Sequence, residues 1–431
     1  MLVKLVPEDF VVEELTSWQP AERGSISVYE VTKRKLDTFE VVRILAARSG
    51  VALPKVAYVG LKDRQGVTTQ LISIEGGRLD GRIPGVRYRY LGRAKEPLGP
   101  EHLRGNAFTI VVRDLGEDDV ALLADRRARL ARHGLVNYFD DQRFGSLVAG
   151  QGLPGRDLVR GDHEAVVRAL IATPGKRDPV PEKKFKVLVS KAWGDWELIC
   201  KKWGDRKGNA MVQHLRRRPG DYAGALQRLP AKERAIHVFA YQSLVWNRSV
   251  ALYLARRLPA RALARTRYVG GELSWPDAPA DQDLPALVET FPLLDHTVEP
   301  ADPDVRAAVD AALAEEGLTR ERFRIDGVPG CFFKHHERPL RVWPEALEVG
   351  RPEPDDRRPG RLKVRLRFQL PPGAYATLVL LRLFGAQARD AERPPRRRRA
   401  AGEPAAPAPA PGAPSRSAPS AGPTGDRRRP A

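Results

Sequence analysis

The sequence predicts an α+β protein in which one domain interrupts another, followed by a tail that builds no core. Three observations predict it. The first 115 residues mix short β-rich runs with helical periodicity, and after Gly145 the character shifts to Pro-, Gly- and charge-rich sequence that runs to about 360; strict sheet alternation then returns at 361–370. A sheet pattern resuming after roughly 200 unlike residues points to an insertion into a parent fold. Residues 386–431 hold 10 Arg, 4 acidic residues and 10 Pro, with no Val, Ile, Leu or aromatic residue, the composition of a disordered segment. The predicted division is therefore 1–150 with 340–385 as the parent domain, 151–339 as the insertion, and 386–431 as the tail.

The elements follow in order. Residues 9–15 (DFVVEEL) and 25–32 (SISVYEVT) read as strands. A helix is predicted over 37–50, because Asp37 and Glu40 fit a capping box, Val41, Ile44 and Leu45 form an apolar face, and Gly50 sits where a C-terminal cap belongs. Residues 56–60 form a strand that enters the loop LKDRQG and returns as 67–74. A strand at 108–112 precedes a helix from about 117 to 133, ended by Gly134. Within the middle segment, 232–258 shows one long helical pattern. At 361–370, Leu362, Val364, Leu366, Phe368 and Leu370 alternate with Arg361, Lys363, Arg365, Arg367 and Gln369, giving one core face and one cationic row. A short helix at 374–384 closes the fold.

Composition narrows the function before any motif does. With 431 residues and 42 % hydrophobic content the chain can build real cores, and 73 Lys and Arg against 54 acidic residues leave a net charge of +19, which attracts polyanions. The charge is uneven. The tail carries +6, and 275–317 holds 11 acidic residues and one Arg, so the rest of the body is far more basic than the total suggests. That acidic stretch either faces away from a polyanion or pairs with basic parts of its own chain. The densest basic stretch, 182–218, interleaves 11 Lys and Arg with Phe185, Trp193, Trp196 and Trp203. Such a mixture suits RNA, whose phosphates take the cations and whose bases stack on rings; the alternative is a solvated basic strand pair with its tryptophans in the core. Two cysteines make no disulfide framework, no apolar run is long enough to span a membrane, and the first residues lack the apolar core of a signal peptide, so a cytoplasmic protein is expected.

Two clusters stand out chemically. Asp63 follows a strand end, lies between Lys62 and Arg64, and precedes a turn; cations on both sides favour its ionised form, and an ionised carboxylate beside a nucleoside serves as nucleophile or base at the sugar. The alternative is a turn aspartate with solvated neighbours. Residues 137–145 (NYFDDQRFG) combine rings, an amide and an Arg, the groups a flipped base needs, although aromatic clusters also serve as core. Asp140 and Asp141 are adjacent, so their side chains diverge and do not form a glycosidase pair. Cys331, His335 and His336 lack a fourth ligand at a recognised zinc spacing. Walker A, Rossmann and Gly-x-Ser-x-Gly signatures are absent.

Taken in order, PEDFVVEE (7–14), VGLKDRQGVTTQ (59–70), RGNAFTIVVR (104–113), NYFDDQRFG and LPPGAYATLVLLRL (370–383) resemble the TruD family of tRNA pseudouridine synthases. The resemblance covers 1–145 and 361–385 closely; the middle segment corresponds in position to the family's inserted TRUD domain. It implies a pseudouridine-synthase catalytic domain on a mixed, largely antiparallel sheet, and isomerisation of a tRNA uridine, position 13 in bacterial members, without cofactor or metal. Asp63 falls on the family's essential aspartate. Phe139 falls on the phenylalanine that replaces the active-site tyrosine of other pseudouridine synthases, and Lys4, Phe10 and Asn137 fall on other positions lining the uridine site; Tyr375 stands where many members have Phe. Gly66 replaces a frequent Ala, which adds local freedom, and Asp140 a frequent Gly, where Asp tolerates a left-handed backbone. The resemblance implies tRNA as partner; no protein partner is implied, and the lack of a long apolar run argues against a membrane. The competing reading is an RNA-binding protein that kept the fold without catalysis, working through the basic tail, the Trp-rich segment and the row from Arg361 to Arg367.

Overall fold

Alternation along the first 115 residues produces the strands of one large sheet. The computed structural model describes residues 1–145, 152–175, 178–204, 206 and 208–385. The tail predicted at 386–431 lies outside the described residues. A short 3-10 turn at Pro7–Asp9 leads into β1 (Phe10–Thr16), followed by β2 (Ile26–Arg34), α1 (Thr38–Ser49), β3 (Val56–Tyr58), β4 (Val67–Glu75), β5 (Val86–Ala94) and β6 (Leu103–Leu115). The caps of α1 are those its sequence calls for: the Asp37 carboxylate accepts from the Glu40 N–H, and Gly50 takes a left-handed φ of 67°.

The helix expected at 117–133 is interrupted at Leu122, giving α2 (Glu117–Ala121) and α3 (Leu123–His133). The cause is packing. Segment α2 buries no residue, whereas α3 fixes Leu123, Leu130 and His133 in the interior. After the two-residue β7 (Leu135–Val136) comes a helical run: α4 (Pro154–Val159), α5 (His163–Ile171), α6 (Val180–Lys191), α7 (Trp196–Trp203), α8 (Asn209–Arg217), α9 (Tyr222–Gln227) and the long α10 (Ala231–Arg257). The basic stretch is thus helical, not a strand pair. Trp196, Ile199 and Trp203 recur every three to four residues and are buried, so two of its tryptophans are core and unavailable to bases, while Lys184, Lys191, Lys201 and Lys202 remain exposed.

The hairpin β8 (Leu263–Tyr268) and β9 (Gly271–Pro276), then β10 (Thr290–Leu293), α11 (Pro303–Glu315) and β11 (His336–Pro339) complete the middle of the chain. β12 (Arg341–Val342) pairs with β7, and β13 (Glu345–Val349), β14 (Glu353–Pro354), β15 (Leu362–Leu370) and α12 (Ala376–Phe384) finish the described chain. The large sheet runs β13-β15-β6-β1-β4-β2-β5, with β14 on β15 and β3 on β4. Every pairing in it is antiparallel except β1 with β4, so the sheet is mixed and largely antiparallel as expected. The chain leaves this sheet after Leu115 and rejoins it at Glu345. One apolar core nevertheless continues from Phe10, Ile110 and Phe368 on the sheet to Trp246, Tyr253 and Phe291. The cationic row of β15 does alternate outward, but Arg361 pairs with Asp114, Lys363 with Asp356 and Arg367 with Glu348.

Candidate active site

The single parallel pairing builds the first half of the site. Val11 of β1 stands beside Val67 of β4, so the two strands begin at the same end and the segments preceding them meet there. Lys4 precedes β1 and Asp63 precedes β4. Their side chains form an ion pair at 2.6 Å, with the Lys4 side chain buried and the Asp63 side chain 20 % exposed. The Lys4 ammonium also lies 4.2 Å above the centre of the Phe10 ring. Its backbone takes a φ of 63°, uncommon for a residue with a Cβ. The second oxygen of Asp63 accepts from the Gln65 N–H at 2.7 Å, so one oxygen is held by the turn and the other by Lys4.

The cation facing Asp63 is therefore not one of its sequence neighbours. Lys62 is buried and paired with Glu14 at 2.7 Å, and Arg64 is exposed. Three further contacts fix the loop. Thr38 Oγ1 accepts from the Lys62 N–H at 3.0 Å, Lys33 Nζ donates to the Asp63 carbonyl at 2.6 Å, and Gly66 allows a close approach to β1. A Cβ on Gly66 would stand 2.3 Å from the Phe10 carbonyl oxygen, so this glycine serves contact and not loop freedom.

Asn137, Phe139 and Tyr375 form a second set of contacts, assembled by a residue that sequence reading passed over. Arg338, at the end of β11, is buried with its guanidinium 4.1 Å from the Phe139 ring centre. It donates to the Asn137 backbone carbonyl at 2.9 Å, the Asn137 side-chain oxygen at 2.8 Å and the Gly373 carbonyl at 2.9 Å, two residues before Tyr375. Burial lowers this guanidinium to about 10 and pushes the Tyr375 phenol up. Phe139 and Tyr375 meet edge to face at 6.5 Å. Asn247 of α10 brackets Phe139 from the backbone, accepting from its N–H at 2.9 Å and donating to its carbonyl at 2.8 Å. Arg143, the Arg of the 137–145 cluster, lies 5.6 Å from the same ring and donates to Ser243. Asp140 is extended, at φ −89° and ψ 170°, and accepts from the Thr377 hydroxyl; no left-handed turn is needed there.

The structure thus joins Lys4, Phe10 and Asp63 by direct contact, and Asn137, Phe139 and Tyr375 through Arg338. Phe10 and Phe139 belong to one continuous apolar core. Lys33, Arg338 and Asn247 were not found from sequence. For Lys33 a signal exists: it continues the inward alternation of β2, where a lysine is unusual. Arg338 and Asn247 carry no local signal. Among the described residues no three His, Cys, Asp or Glu side chains gather as a metal site.

The chain matches the profile of the family described as tRNA pseudouridine synthase D (TruD) over residues 1–276 and 281–383. It is 31 % identical over 395 residues to the "Probable tRNA pseudouridine synthase D 2" of Methanocaldococcus jannaschii, covering 89 % of this chain and 92 % of that one. To the tRNA pseudouridine synthase D of Aquifex aeolicus it is 29 % identical over 401 residues, 89 % of this chain and 97 % of the other. A crystal structure from Methanosarcina mazei described under the TruD name superposes with a TM-score of 0.66 at 27 % identity, covering 89 % of this chain and 93 % of that one. With an ion-paired aspartate in the expected loop and a match running from residue 1 to 383 but for 277–280, the chain belongs to the tRNA pseudouridine synthase D (TruD) family.

Proposed function

We propose that this protein isomerises a uridine of tRNA to pseudouridine, with Asp63 as the group that starts the reaction. The observation carrying this reading is the Lys4–Asp63 pair, whose carboxylate keeps some exposure while one oxygen is held by an ammonium and the other by a backbone N–H. The conversion breaks the N1–C1′ bond, turns the detached uracil and joins C5 to C1′; nothing is oxidised overall. Asp63 begins it at the sugar, by attack on C1′ or by taking the C2′ proton. Phe139, held by Asn247 behind and Arg338 on its face, is the ring that keeps the free uracil from leaving, and Lys4, Phe10, Asn137 and Tyr375 line the same site.

The target is uridine 13, and the enzyme works in the cytoplasm; no helix among the described residues is long and apolar enough to cross a membrane. The exposed lysines of α6 and α7 supply phosphate contacts. The division into 1–150 with 340–385 and an inserted 151–339 belongs to this proposal, supported by a chain that leaves the large sheet after β6 and rejoins it at β13. Asp63→Asn is expected to bind unmodified tRNA while forming no pseudouridine, read by chemical labelling of the modified base. An Asp63→Asn enzyme that turns over normally would sink the assignment. Mapping pseudouridines in tRNA from cells with and without the gene tests the position.

A further inference from the structure

Lys33 is the most enclosed cation beside the site. It is 2 % exposed, faces inward from β2 opposite Thr68 of β4, and among the described residues forms no ion pair with a carboxylate. Its three donors instead meet three carbonyl oxygens: Leu36 at 2.7 Å, Asp63 at 2.6 Å and Lys62 at 3.4 Å. Two of these belong to the loop that carries the proposed catalytic carboxylate. An ammonium has three N–H donors and suits three carbonyls; a neutral amine has two donors and a lone pair, which would face one carbonyl repulsively. An isolated buried ammonium is costly to a fold, and a hydrophobic residue of similar length would fill this space more cheaply.

We propose that protonated Lys33 is a positioning residue of the reaction: it ties the Lys62 and Asp63 carbonyls to the end of β2 and thereby fixes where the Asp63 carboxylate stands. This rests on the reading of Asp63 as the catalytic group. With its carbonyl held by Lys33 and one oxygen held by the Gln65 N–H, Asp63 has its backbone and its side-chain direction both set. Loss of the Lys33 proton loosens the first of these.

The charged groups facing Lys33 are Asp37 at the start of α1, and Asp63 and Lys62 in the loop; Thr68 and Gln70 on β4 are neutral. Burial pulls the ammonium down to about 8, against the upward pull of Asp63 and Asp37 and with the help of Lys62. Activity therefore falls as pH rises through that value. Stability moves the other way. Because the folded value lies below the unfolded one, the unfolded chain binds more protons in the window between them, and this group favours the fold increasingly as pH rises. An alkaline loss of rate from this source is therefore not unfolding.

The test is single-turnover pseudouridine formation on unmodified tRNA at saturating enzyme, from about pH 6 to pH 10, for wild type, Lys33→Met, Lys33→Arg and Asp63→Asn. Wild type is expected to lose rate above about pH 8 with unchanged tRNA affinity. Lys33→Met is expected to be slower by about a hundredfold at neutral pH, with affinity within about threefold and no alkaline loss. Lys33→Arg, charged throughout, is expected to recover part of the rate and to lack the alkaline loss. A Lys33→Met enzyme as fast as wild type, or an alkaline loss that persists in Lys33→Arg, overturns the proposal. If Lys33→Met does not fold by circular dichroism, the pH profile of Lys33→Arg decides. An inactive Asp63→Asn beside a fully active Lys33→Met defeats only the role of Lys33, whereas an active Asp63→Asn defeats the catalytic reading beneath it.

Discussion

Asn247 is fully buried and offers both ends of its amide to the backbone of Phe139, acceptor to N–H and donor to carbonyl, as a neighbouring strand would. A ring at position 139 is then held without a strand beside it. Asn247→Ala leaves both backbone groups buried and unpaired, each costing about 1–3 kcal/mol. The expected outcome is a loss of about 2–6 kcal/mol in urea unfolding together with slower pseudouridine formation, since the ring loses its bracket. A variant as stable as wild type would mean that the backbone finds other partners. Arg338 works at the same scale by a different route, tying Asn137 to the segment before Tyr375 with a single planar group.

Among the elements, α1 does more than cover the sheet. Its N-cap Asp37 accepts from the Glu40 N–H at 2.7 Å, its first residue Thr38 accepts from the Lys62 N–H, and the Asp37 charge supports protonation of Lys33. Two substitutions separate these roles. Asp37→Ala is expected to cost about 1 kcal/mol through the lost cap, and Asp37→Asn much less, because an amide oxygen caps nearly as well. Both remove the charge that raises the Lys33 value, so both are expected to move the alkaline loss of activity to lower pH. Thermal unfolding and the pH profile check the two effects independently. An Asp37→Asn profile identical to wild type would show that Asp37 acts on α1 alone.

At the scale of the whole molecule, charge divides between internal pairing and the surface. Among the described residues, five of the eleven acidic residues in the acidic stretch pair with arginines of their own chain: Asp277 with Arg382, Asp283 with Arg132, Asp304 with Arg257, Asp310 with Arg320 and Glu315 with Arg248. Internal pairing thus accounts for part of that stretch. Buried Arg113 of β6 gathers Asp9, Asp355 and Asp356 within 2.9 Å, fastening the start of the chain to the part that returns to the sheet. The 386–431 segment adds 10 Arg against 4 acidic residues. Deleting it is expected to weaken tRNA binding by about tenfold at low salt, with the difference fading as salt rises, and to leave the single-turnover rate at saturation unchanged. A large loss of that rate would place the segment in the active site.

Much of this was legible from residues alone. Period-two runs, the capping signals of α1, the long helix α10 and the outward row of β15 depend on neighbours within a few positions, and they fold as read. The basic stretch misleads because its lysines and tryptophans suit either a strand pair or helices. The break in the predicted 117–133 helix depends on which turns reach the core, and that is a tertiary matter. Motif order brought Asp63, Lys4, Phe10, Asn137, Phe139 and Tyr375 forward, yet the cations bordering Asp63 in sequence are not the one that pairs with it.

Local periodicity and counting suffice for the strands at 9–15, 25–32, 67–74 and 361–370, the helices α1 and α10, the carboxylate-bearing loop and the surplus of positive charge. That Lys4 and Lys33 hold Asp63 from opposite ends of the residue, and that Arg338 and Asn247 hold Phe139, follows from the folded chain alone. The cause is topological. One parallel strand pair brings segments 59 residues apart to a common end of the sheet, and β11 sets residue 338 against residue 137.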